Sequence, residues 1–460
     1  MLLPEEEGYL EAEGLEKTYK FTQEKIKPHV SISAASKIFD LDLDQLGPYK
    51  VDYTRNGKFI LIGGRKGHVA TFNWRAGILG CELQLRETVR DVKWLHNETM
   101  FAVAQKKYVY VYDRNGLEIH CLKRQTEVKK LDFLPYHFLL TSIGDSGILR
   151  YQDVSTGVPL VDIRTRMGRS DILTHNPMNA IVHLGHTSGT VSLWSPNSNE
   201  ALVKMLCHKG PVQSISIDAS GNYMATAGRD ARLKIWDLRQ YKVVYEYYTP
   251  KLATDITFSQ RGVLAVGFNS HISLWKDVTK SKQSAPYMEH KCPTKYINDL
   301  MFCPFEDVLG VGHSKGFSSV LVPGSGEPNF DALELNPYQT KKQRQEHEVH
   351  SLLNKIQPDT IMLDSNVLGS IYNQEEEEKE IDKNVKVDVR YRARGKSSSS
   401  KRFVRKKGLQ QIEIKKERAR LLSKRKSEKD EKDANKSFNR PSKPTKTVDA
   451  AVNTFSNKDY

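Results

Sequence analysis

The chain has 460 residues, of which 38% are apolar and 27% are charged, and its formal net charge is +14 at pH 7. This composition allows a sizeable core together with segments too polar to pack. No run of about 18 apolar residues occurs, which excludes a membrane-spanning helix, and the opening MLLPEEEGYLEAEG does not resemble a signal peptide. The cysteines at 81, 121, 207, 292 and 303 stand singly, which argues against a disulfide framework or a zinc site and for a reducing compartment.

A repeat begins after residue 45, so residues 1–45 are expected to form an N-terminal arm. The repeated unit is a tight turn followed by a strand that ends in an aromatic or apolar residue, and it is clearest in RDARLKIWD at 229–237. Seven copies of this frame end at Phe72, Tyr112, Gln152, Trp194, Trp236, Trp275 and Leu321. Their spacing of roughly 40 residues is the period of a four-stranded propeller blade.

Each unit also holds the other strands of a blade. In the fifth unit, residues 212–218 alternate apolar and polar side chains, a turn follows at 219–222, and a second apolar strand covers 223–227. A single blade cannot bury both faces of its sheet, whereas seven blades around an axis share one core. The sequence therefore predicts an all-β fold, a seven-bladed β-propeller over residues 46–323.

The frame resembles the WD-repeat (WD40) family, whose blades end in Trp-Asp. Only Trp236-Asp237 keeps that dipeptide. In the fifth unit, His208, Thr226, Asp230 and Trp236 occupy the positions of the hydrogen-bond network of the family. The resemblance implies a structural role for these four residues, and we set aside a catalytic reading of His208 and Asp230.

Two further motifs resemble ligand-binding or metal-binding motifs, but we interpret both as structural elements. GGRKG at 63–67 lacks the spacing of a phosphate loop and opens a strand, so we assign it to a blade turn. HEVH at 347–350 has its histidines three apart and lacks a third ligand. We therefore expect no enzyme, no metal, no cofactor and no small-molecule substrate.

Basic residues recur at the tight turns that precede third strands. In a propeller these turns share one rim, where they would form a positive arc. Turns also favour polar residues in general, so both interpretations stay open. The possible rim contacts are Arg65, Lys66, Lys106, Lys107, Arg229 and Lys315.

Residues 324–365 are expected to form a C-terminal extension with one amphipathic helix, which Pro358 ends. An apolar stripe on the helix consists of Val349, Leu352, Leu353 and Ile356. We expect the stripe to pack on the propeller or on a partner, while the charged residues of the helix stay in water.

Residues 366–460 form a basic tail. Between 386 and 446 the chain has 23 Lys plus Arg and 7 Asp plus Glu, with few apolar residues, so we expect it to be largely disordered alone. A solvated tail is the simpler interpretation, but such like charge favours binding to a polyanion. The candidate RNA-binding residues are Arg390, Arg392, Arg394, Lys396, Lys401, Arg402, Arg405, Lys406, Lys407, Lys415, Lys416, Lys424, Arg425 and Lys426.

Flanking motifs narrow the resemblance. NPYQTKKQR at 336–344 with SLLNKIQPDTI at 351–361 resembles the C-terminal extension of one WD-repeat family, and LGPYKVDYTRNG at 46–57 with GGRKGH at 63–68 resembles its first blade. That family comprises the U3 small nucleolar RNA-associated WD-repeat proteins of the small-subunit processome.

The resemblance implies a nucleolar, nuclear assembly factor for the 40S subunit, needed for the processing that yields 18S rRNA. The partners it implies are pre-rRNA, U3 small nucleolar RNA and other processome proteins, including WD-repeat proteins, without a membrane. The alternative is a WD40 substrate-recognition or scaffold subunit of another nuclear complex, such as a ubiquitin ligase or a chromatin complex.

Overall fold

In a computed structural model, the chain is described at residues 8–14, 16–331, 334–363, 415–417 and 420. Residues 40–321 hold seven antiparallel sheets of four strands each. The first strand of each sheet contacts the first strand of the next, and the last contacts the first, so the sheets close into a ring. The predicted seven-bladed propeller is confirmed.

The strands are as follows. One strand precedes blade one, β1 (Asp40–Asp42). Blades one and two consist of β2 (Tyr49–Tyr53), β3 (Ile60–Gly64), β4 (His68–Asn73), β5 (Ile78–Gln84), β6 (Asp91–Trp94), β7 (Met100–Ala104), β8 (Tyr108–Asp113) and β9 (Glu118–Thr126). Blades three and four consist of β10 (Val128–Leu134), β11 (Leu139–Gly144), β12 (Ile148–Asp153), β13 (Pro159–Arg164), β14 (Ser170–His175), β15 (Val182–His186), β16 (Thr190–Trp194) and β17 (Val203–Leu206).

The remaining blades continue the same order. Blades five and six consist of β18 (Val212–Ile217), β19 (Tyr223–Gly228), β20 (Arg232–Asp237), β21 (Lys242–Tyr248), β22 (Asp255–Phe258), β23 (Leu264–Gly267), β24 (His271–Trp275) and β25 (Met288–Lys291). Blade seven consists of β26 (Ile297–Phe302), β27 (Val308–His313), β28 (Gly316–Leu321) and β1. The helices are α1 (Gln23–Ile26), α2 (Ile32–Ala35), α3 (Lys341–Leu353) and short 3-10 turns at Thr18–Lys20, Lys27–His29 and Pro358–Thr360. Residues 415–417 and 420 are helical as well.

The predicted repeat corresponds to the third strand of every blade. All seven frame ends fall within third strands, from Phe72 in β4 to Leu321 in β28. The second and third strands are the most buried; every residue of β3 and β28, for example, is buried. They are buried because both faces of each sheet pack against neighbouring blades.

The last blade takes its outer strand from the N-terminal segment. Strand β1 pairs antiparallel with β28, with Asp42 opposite Gly316. A Cβ at Gly316 would lie 1.9 Å from the carbonyl oxygen of Leu41, and the φ of Gly316 is +145°, so only glycine allows this approach. The segment predicted as an arm thus supplies one strand of the propeller and joins the two ends of the ring.

Residues before β1 strap the same blade. The Gln23 side chain accepts a hydrogen bond from the Leu321 nitrogen at 3.0 Å and donates one to the Leu321 carbonyl at 2.9 Å. Lys37 forms an ion pair with Glu306. The Phe39 ring packs against Phe317, with ring centroids 5.7 Å apart. These contacts attach the segment along the edge of blade seven as well as through β1.

The first strands carry carboxylates that link one blade to the next. The Asp52 carboxylate accepts a hydrogen bond from the Trp94 nitrogen at 2.6 Å, and that of Asp91 accepts one from the Leu131 nitrogen at 2.8 Å. The Asp255 carboxylate bonds the Leu300 nitrogen at 2.8 Å, and the Asp299 carboxylate bonds the Val51 nitrogen at 2.9 Å. Lys50, Lys93 and Lys130 lie among these groups. We call these aspartates and lysines of the first strands the charged belt. The belt links each of these blades to the next.

The network predicted in blade five is present. His208 contacts Asp230 at 3.0 Å through Nδ1 and Thr226 at 2.9 Å through Nε2. The Trp236 indole donates to Thr226 Oγ1 at 3.0 Å. Both histidine nitrogens are therefore engaged in tying the loop and the turn to the third strand.

Among the described residues, none of the helices has the length and apolar character needed to cross a membrane. The same residues contain no group of three His, Cys, Asp or Glu side chains placed to hold a metal ion. The five cysteines are free thiols, and Cys121 is the one that is not buried.

Candidate partner and nucleic-acid interfaces

The predicted rim residues all lie at the propeller edge formed by the turns between second and third strands. In an antiparallel blade this edge also holds the loops that lead to the next blade. Five of the six side chains are exposed, and Lys315 is half-buried. The Lys66 ammonium donates to the Gln45 carbonyl at 2.8 Å, and Lys107 lies 4.9 Å from the centre of the Tyr108 ring. Their contact with a partner remains a prediction.

Sequence reasoning missed two further cations on this rim. The end of β13 and the loop that follows it, from blade three to blade four, contain Arg164, Arg166 and Arg169. Arg169 is paired with Asp145 at 3.2 Å and with Asp171 at 2.9 Å. Arg164 and Arg166 are exposed, and no described acid forms an ion pair with either one. Three arginines within six residues were the signal that could have found this loop.

At blade seven, next to blade one, the same rim carries carboxylates as well as cations. Lys295 lies 3.8 Å from Asp40 and 3.5 Å from Asp42, so both acids share one cation, and a turn of the same blade carries Lys315. The charge of the rim is therefore mixed at blade seven, whereas Arg164 and Arg166 at blade three are exposed cations without a described acid partner. A polyanion is attracted more strongly to blade three.

Most of the predicted RNA-binding tail lies outside the described residues. Lys415 and Lys416 are described, and both are helical and exposed. The predicted residues outside the described ranges are Arg390, Arg392, Arg394, Lys396, Lys401, Arg402, Arg405, Lys406, Lys407, Lys424, Arg425 and Lys426.

The predicted helix of the C-terminal extension is present as α3. It begins after Thr340, whose hydroxyl accepts a hydrogen bond from the Gln343 nitrogen, while the Gln343 side chain accepts one from the Thr340 nitrogen. This reciprocal capping box satisfies the amide groups at the start of the helix. Asn354 caps its carboxyl end, four residues before Pro358.

The helix contacts the propeller through charged side chains. Arg344 pairs with the buried Glu98 at 2.5 Å, and Glu348 contacts His96 at 3.0 Å. Both propeller residues lie in the turn between β6 and β7, at the face opposite the predicted rim. The expectation that the charged residues of the helix stay in water is wrong for Arg344 and Glu348, because the propeller offers each an oppositely matched group.

Residues after α3 continue across this face. Lys355 forms an ion pair with Asp153, and the Ile356 nitrogen donates to the Tyr136 carbonyl at 3.0 Å. Ile361 is buried, and its carbonyl accepts a hydrogen bond from the Ser195 hydroxyl at 2.7 Å. The extension therefore runs from blade two to blade four.

The side chains of the predicted apolar stripe are exposed. Val349, Leu352 and Leu353 lie on α3, but the helix ends at Leu353 and not at Pro358, so Ile356 lies beyond it and contacts the propeller through its backbone nitrogen. Val349 is 56% exposed, Leu352 43%, Leu353 75% and Ile356 39%. The stripe thus does not pack on the propeller within the described residues, and its role as a partner surface stays a prediction.

Replacing Arg344 with alanine is expected to weaken the docking of α3 by about 2 kcal/mol, because Glu98 stays buried without its cation. Hydrogen exchange of the α3 amides should become markedly faster. Lys342→Ala removes an exposed lysine from the same helix and should leave exchange unchanged. Equal exchange in the two variants would show that the ion pair does not hold the helix.

Comparison with known proteins agrees with this architecture. Residues 286–364 match the BING4CT (NUC141) domain family, and residues 200–237 match the WD domain, G-beta repeat family. The chain is 50% identical over 387 residues to U3 small nucleolar RNA-associated protein 7 of Saccharomyces cerevisiae, which covers 80% of this chain and 70% of that protein. It is 46% identical over 375 residues to WD repeat-containing protein 46 of Homo sapiens, which covers 81% of this chain and 61% of the human protein.

Proposed function

This chain belongs to the family of U3 small nucleolar RNA-associated protein 7 and WD repeat-containing protein 46, and on that premise we propose that it is a non-catalytic assembly factor of the nucleolar small-subunit processome. In this role it supports pre-rRNA processing to 18S rRNA and biogenesis of the 40S subunit. The observation that carries the proposal is the 50% identity to a protein named for its association with U3 small nucleolar RNA, over 80% of this chain.

We propose that the propeller acts as a rigid hub for other proteins. The ring is joined at blade seven by β1 and between blades by the charged belt. One face receives the C-terminal extension, while the opposite rim carries exposed cations. Such a body can present two faces to different neighbours, which we propose are other processome proteins, including WD-repeat proteins.

Pre-rRNA and U3 small nucleolar RNA are the proposed nucleic-acid partners. Lysines and arginines of the tail would lie along RNA phosphates, which gives affinity with little sequence specificity. Lys415 and Lys416 are exposed, as this contact requires. The free arginines 164 and 166 offer a second cationic surface on the propeller itself.

The structural role of His208 and Asp230, the pair that most resembles a catalytic pair, supports a function without catalysis. His208 and Asp230 bond each other, and the second nitrogen of His208 bonds Thr226. Burial lowers the pKa of His208 and Asp230 opposes that shift, so the imidazole is held neutral by its packing. The group is fully engaged in holding blade five together.

In-cell crosslinking followed by sequencing of the bound RNA tests the proposal. The full chain is expected to recover pre-rRNA and U3 small nucleolar RNA, and a variant that ends at residue 370 should recover much less. If the full chain recovers neither RNA, the proposal is wrong, and the alternative of a subunit of another nuclear complex gains support. If the shortened variant crosslinks as well as the full chain, the propeller rather than the tail contacts RNA.

A further inference from the structure

The segment NPYQTKKQR at 336–344 borders a cavity of about 270 Å³ between the start of α3 and the edges of blades one and two. Four cationic side chains line it, Lys58, Arg114, Lys341 and Arg344, together with the carboxylate of Glu98. Arg344 neutralises Glu98 at 2.5 Å. Three cations thus share the cavity without a carboxylate partner among the described residues.

Two of these cations lie near one aromatic ring. The Lys58 ammonium lies 5.8 Å from the centre of the Phe59 ring, and the Arg114 guanidinium lies 5.4 Å from it. Phe59 is itself buried. Two like charges therefore lie near the same ring on the propeller wall, where an anion between them would relieve their repulsion.

The opposite wall is set by the start of the helix. Thr340 caps α3, which places Lys341 in the first helical position. Arg344 follows three residues later, so both side chains lie on one helix face. Lys342 is exposed and does not line the cavity. The cap thus directs one lysine of the Lys341-Lys342 pair toward the cavity.

The segment that lines the cavity also carries an exposed aromatic ring. Tyr338 is 71% exposed, and its chain neighbours Pro337 and Gln339 line the cavity, whereas its own ring lies outside that lining. Its ring is supported by Phe330, at 5.8 Å between centroids, and by Arg75, at 5.6 Å from the ring centre. Unpaired bases stack on supported, exposed aromatic rings of this kind.

We propose that this cavity binds single-stranded RNA, with a backbone phosphate among Lys58, Arg114 and Lys341 and a base stacked on Tyr338. The inference rests on the proposed function, since it names a contact for RNA on the propeller and extension. Cations alone would also suit a phosphorylated peptide. The exposed Tyr338 on the same segment favours RNA, because cations combined with a stacking platform are the usual arrangement for single strands.

The test uses the full chain and a single-stranded RNA that contains 4-thiouridine, with the crosslinked peptides identified by mass spectrometry. The cavity variants are K58Q/K341Q and, separately, Y338A. The matched control is K204Q/K342Q, which removes two exposed lysines that do not line the cavity. Thermal unfolding of each variant checks that the fold is kept.

The wild type is expected to crosslink through the peptide that contains residue 338 and through tail peptides. In K58Q/K341Q the yield at the first peptide should fall about tenfold, with tail crosslinks unchanged. Y338A should reduce RNA crosslinking around the cavity similarly, and K204Q/K342Q should behave as the wild type.

Absence of the 338-containing peptide from wild-type crosslinks, or an equal yield in the cavity variant and the control, would overturn the inference. Loss of a phosphorylated protein partner in K58Q/K341Q without loss of RNA contact would overturn it in favour of a phosphopeptide site. Either result leaves the proposed function intact as long as the full chain recovers pre-rRNA in cells. Recovery of no pre-rRNA would instead contradict the proposed function.

Discussion

Replacing Asp299 with alanine is expected to lower the free energy of unfolding of the propeller by roughly 3–5 kcal/mol. Asp299 lies at the junction of blades seven and one, where its carboxylate pairs with Lys50 at 2.7 Å and bonds the Val51 nitrogen at 2.9 Å. The residue is 8% exposed. Burial raises the pKa of Asp299, but Lys50 and Lys130 outweigh it and hold the pKa below its usual value. The carboxylate is therefore charged, and its removal leaves Lys50 without its partner.

Chemical denaturation at pH 7 measures this loss. Glu118→Ala is the control, because Glu118 is exposed and forms no ion pair with a described residue, so the change should cost less than about 1 kcal/mol. Adding Lys50→Met to Asp299→Ala should restore part of the stability, since the uncompensated charge is then removed as well. Equal losses in Asp299→Ala and Glu118→Ala would show that the charged belt does not hold the ring.

The ring of blades could be predicted because each blade repeats the same local signals. A tight turn precedes an apolar third strand in all seven units, and in the structure each frame end falls in a third strand, as Trp236 does in β20. The repeat allows the fold to be predicted from local sequence alone, because both faces of every blade must be covered by its neighbours.

Strand β1 could not be predicted in this way. It is only Asp-Leu-Asp, without a run of apolar residues, and it pairs with β28 through backbone groups more than 270 residues away along the chain. The one local clue was Gly316, which matches an ordinary turn glycine in sequence but is needed for the approach of Leu41. Long-range backbone pairing leaves no periodic pattern on the shorter strand.

The candidate interfaces were predicted unevenly for a related reason. The rim cations and the helix of the extension were visible from local sequence, but how the helix docks depends on Glu98 and His96, which are some 250 residues from their partners. The stripe of Leu352 and Leu353 suggested docking by apolar contact, whereas the structure uses Arg344 and Glu348. Complementary charges on distant segments are not recognisable until the fold brings them together.

The propeller is also expected to lose stability steeply as the pH falls from 6.5 toward 4. Burial lowers the pKa of His137, His183, His186 and His313 to about 4 each. Between about pH 6.5 and pH 4 the unfolded chain binds a proton at each of these histidines and the folded chain does not. The neutral histidines therefore make their full contribution to the free energy of unfolding above pH 6.5, and that contribution is lost as the pH falls. Burial raises the pKa of Asp52 to about 6. At this one residue the folded chain binds a proton before the unfolded chain does, which stabilises the fold as the pH falls and so opposes the effect of the histidines.

Near pH 5.5 the four histidines and Asp52 together give a difference of about three protons, which corresponds to a slope on the order of 4 kcal/mol per pH unit. Burial also lowers the pKa of His208, His271 and His290, which adds to this slope, and raises the pKa of Asp91 and Asp255, which opposes it. Denaturation of the full chain at pH 7.0, 6.0 and 5.5 measures that slope. His313→Gln removes one of the four groups and should reduce the slope by roughly 1 kcal/mol per pH unit, whereas His120→Gln, at an exposed position, should not change it. Because His186 and His313 hydrogen-bond serines of their own blades at 2.6 and 2.9 Å, protonation would charge groups buried between sheets. A free energy of unfolding that stays flat from pH 7.0 to 5.5 would mean that these histidines gain protons without leaving the folded state.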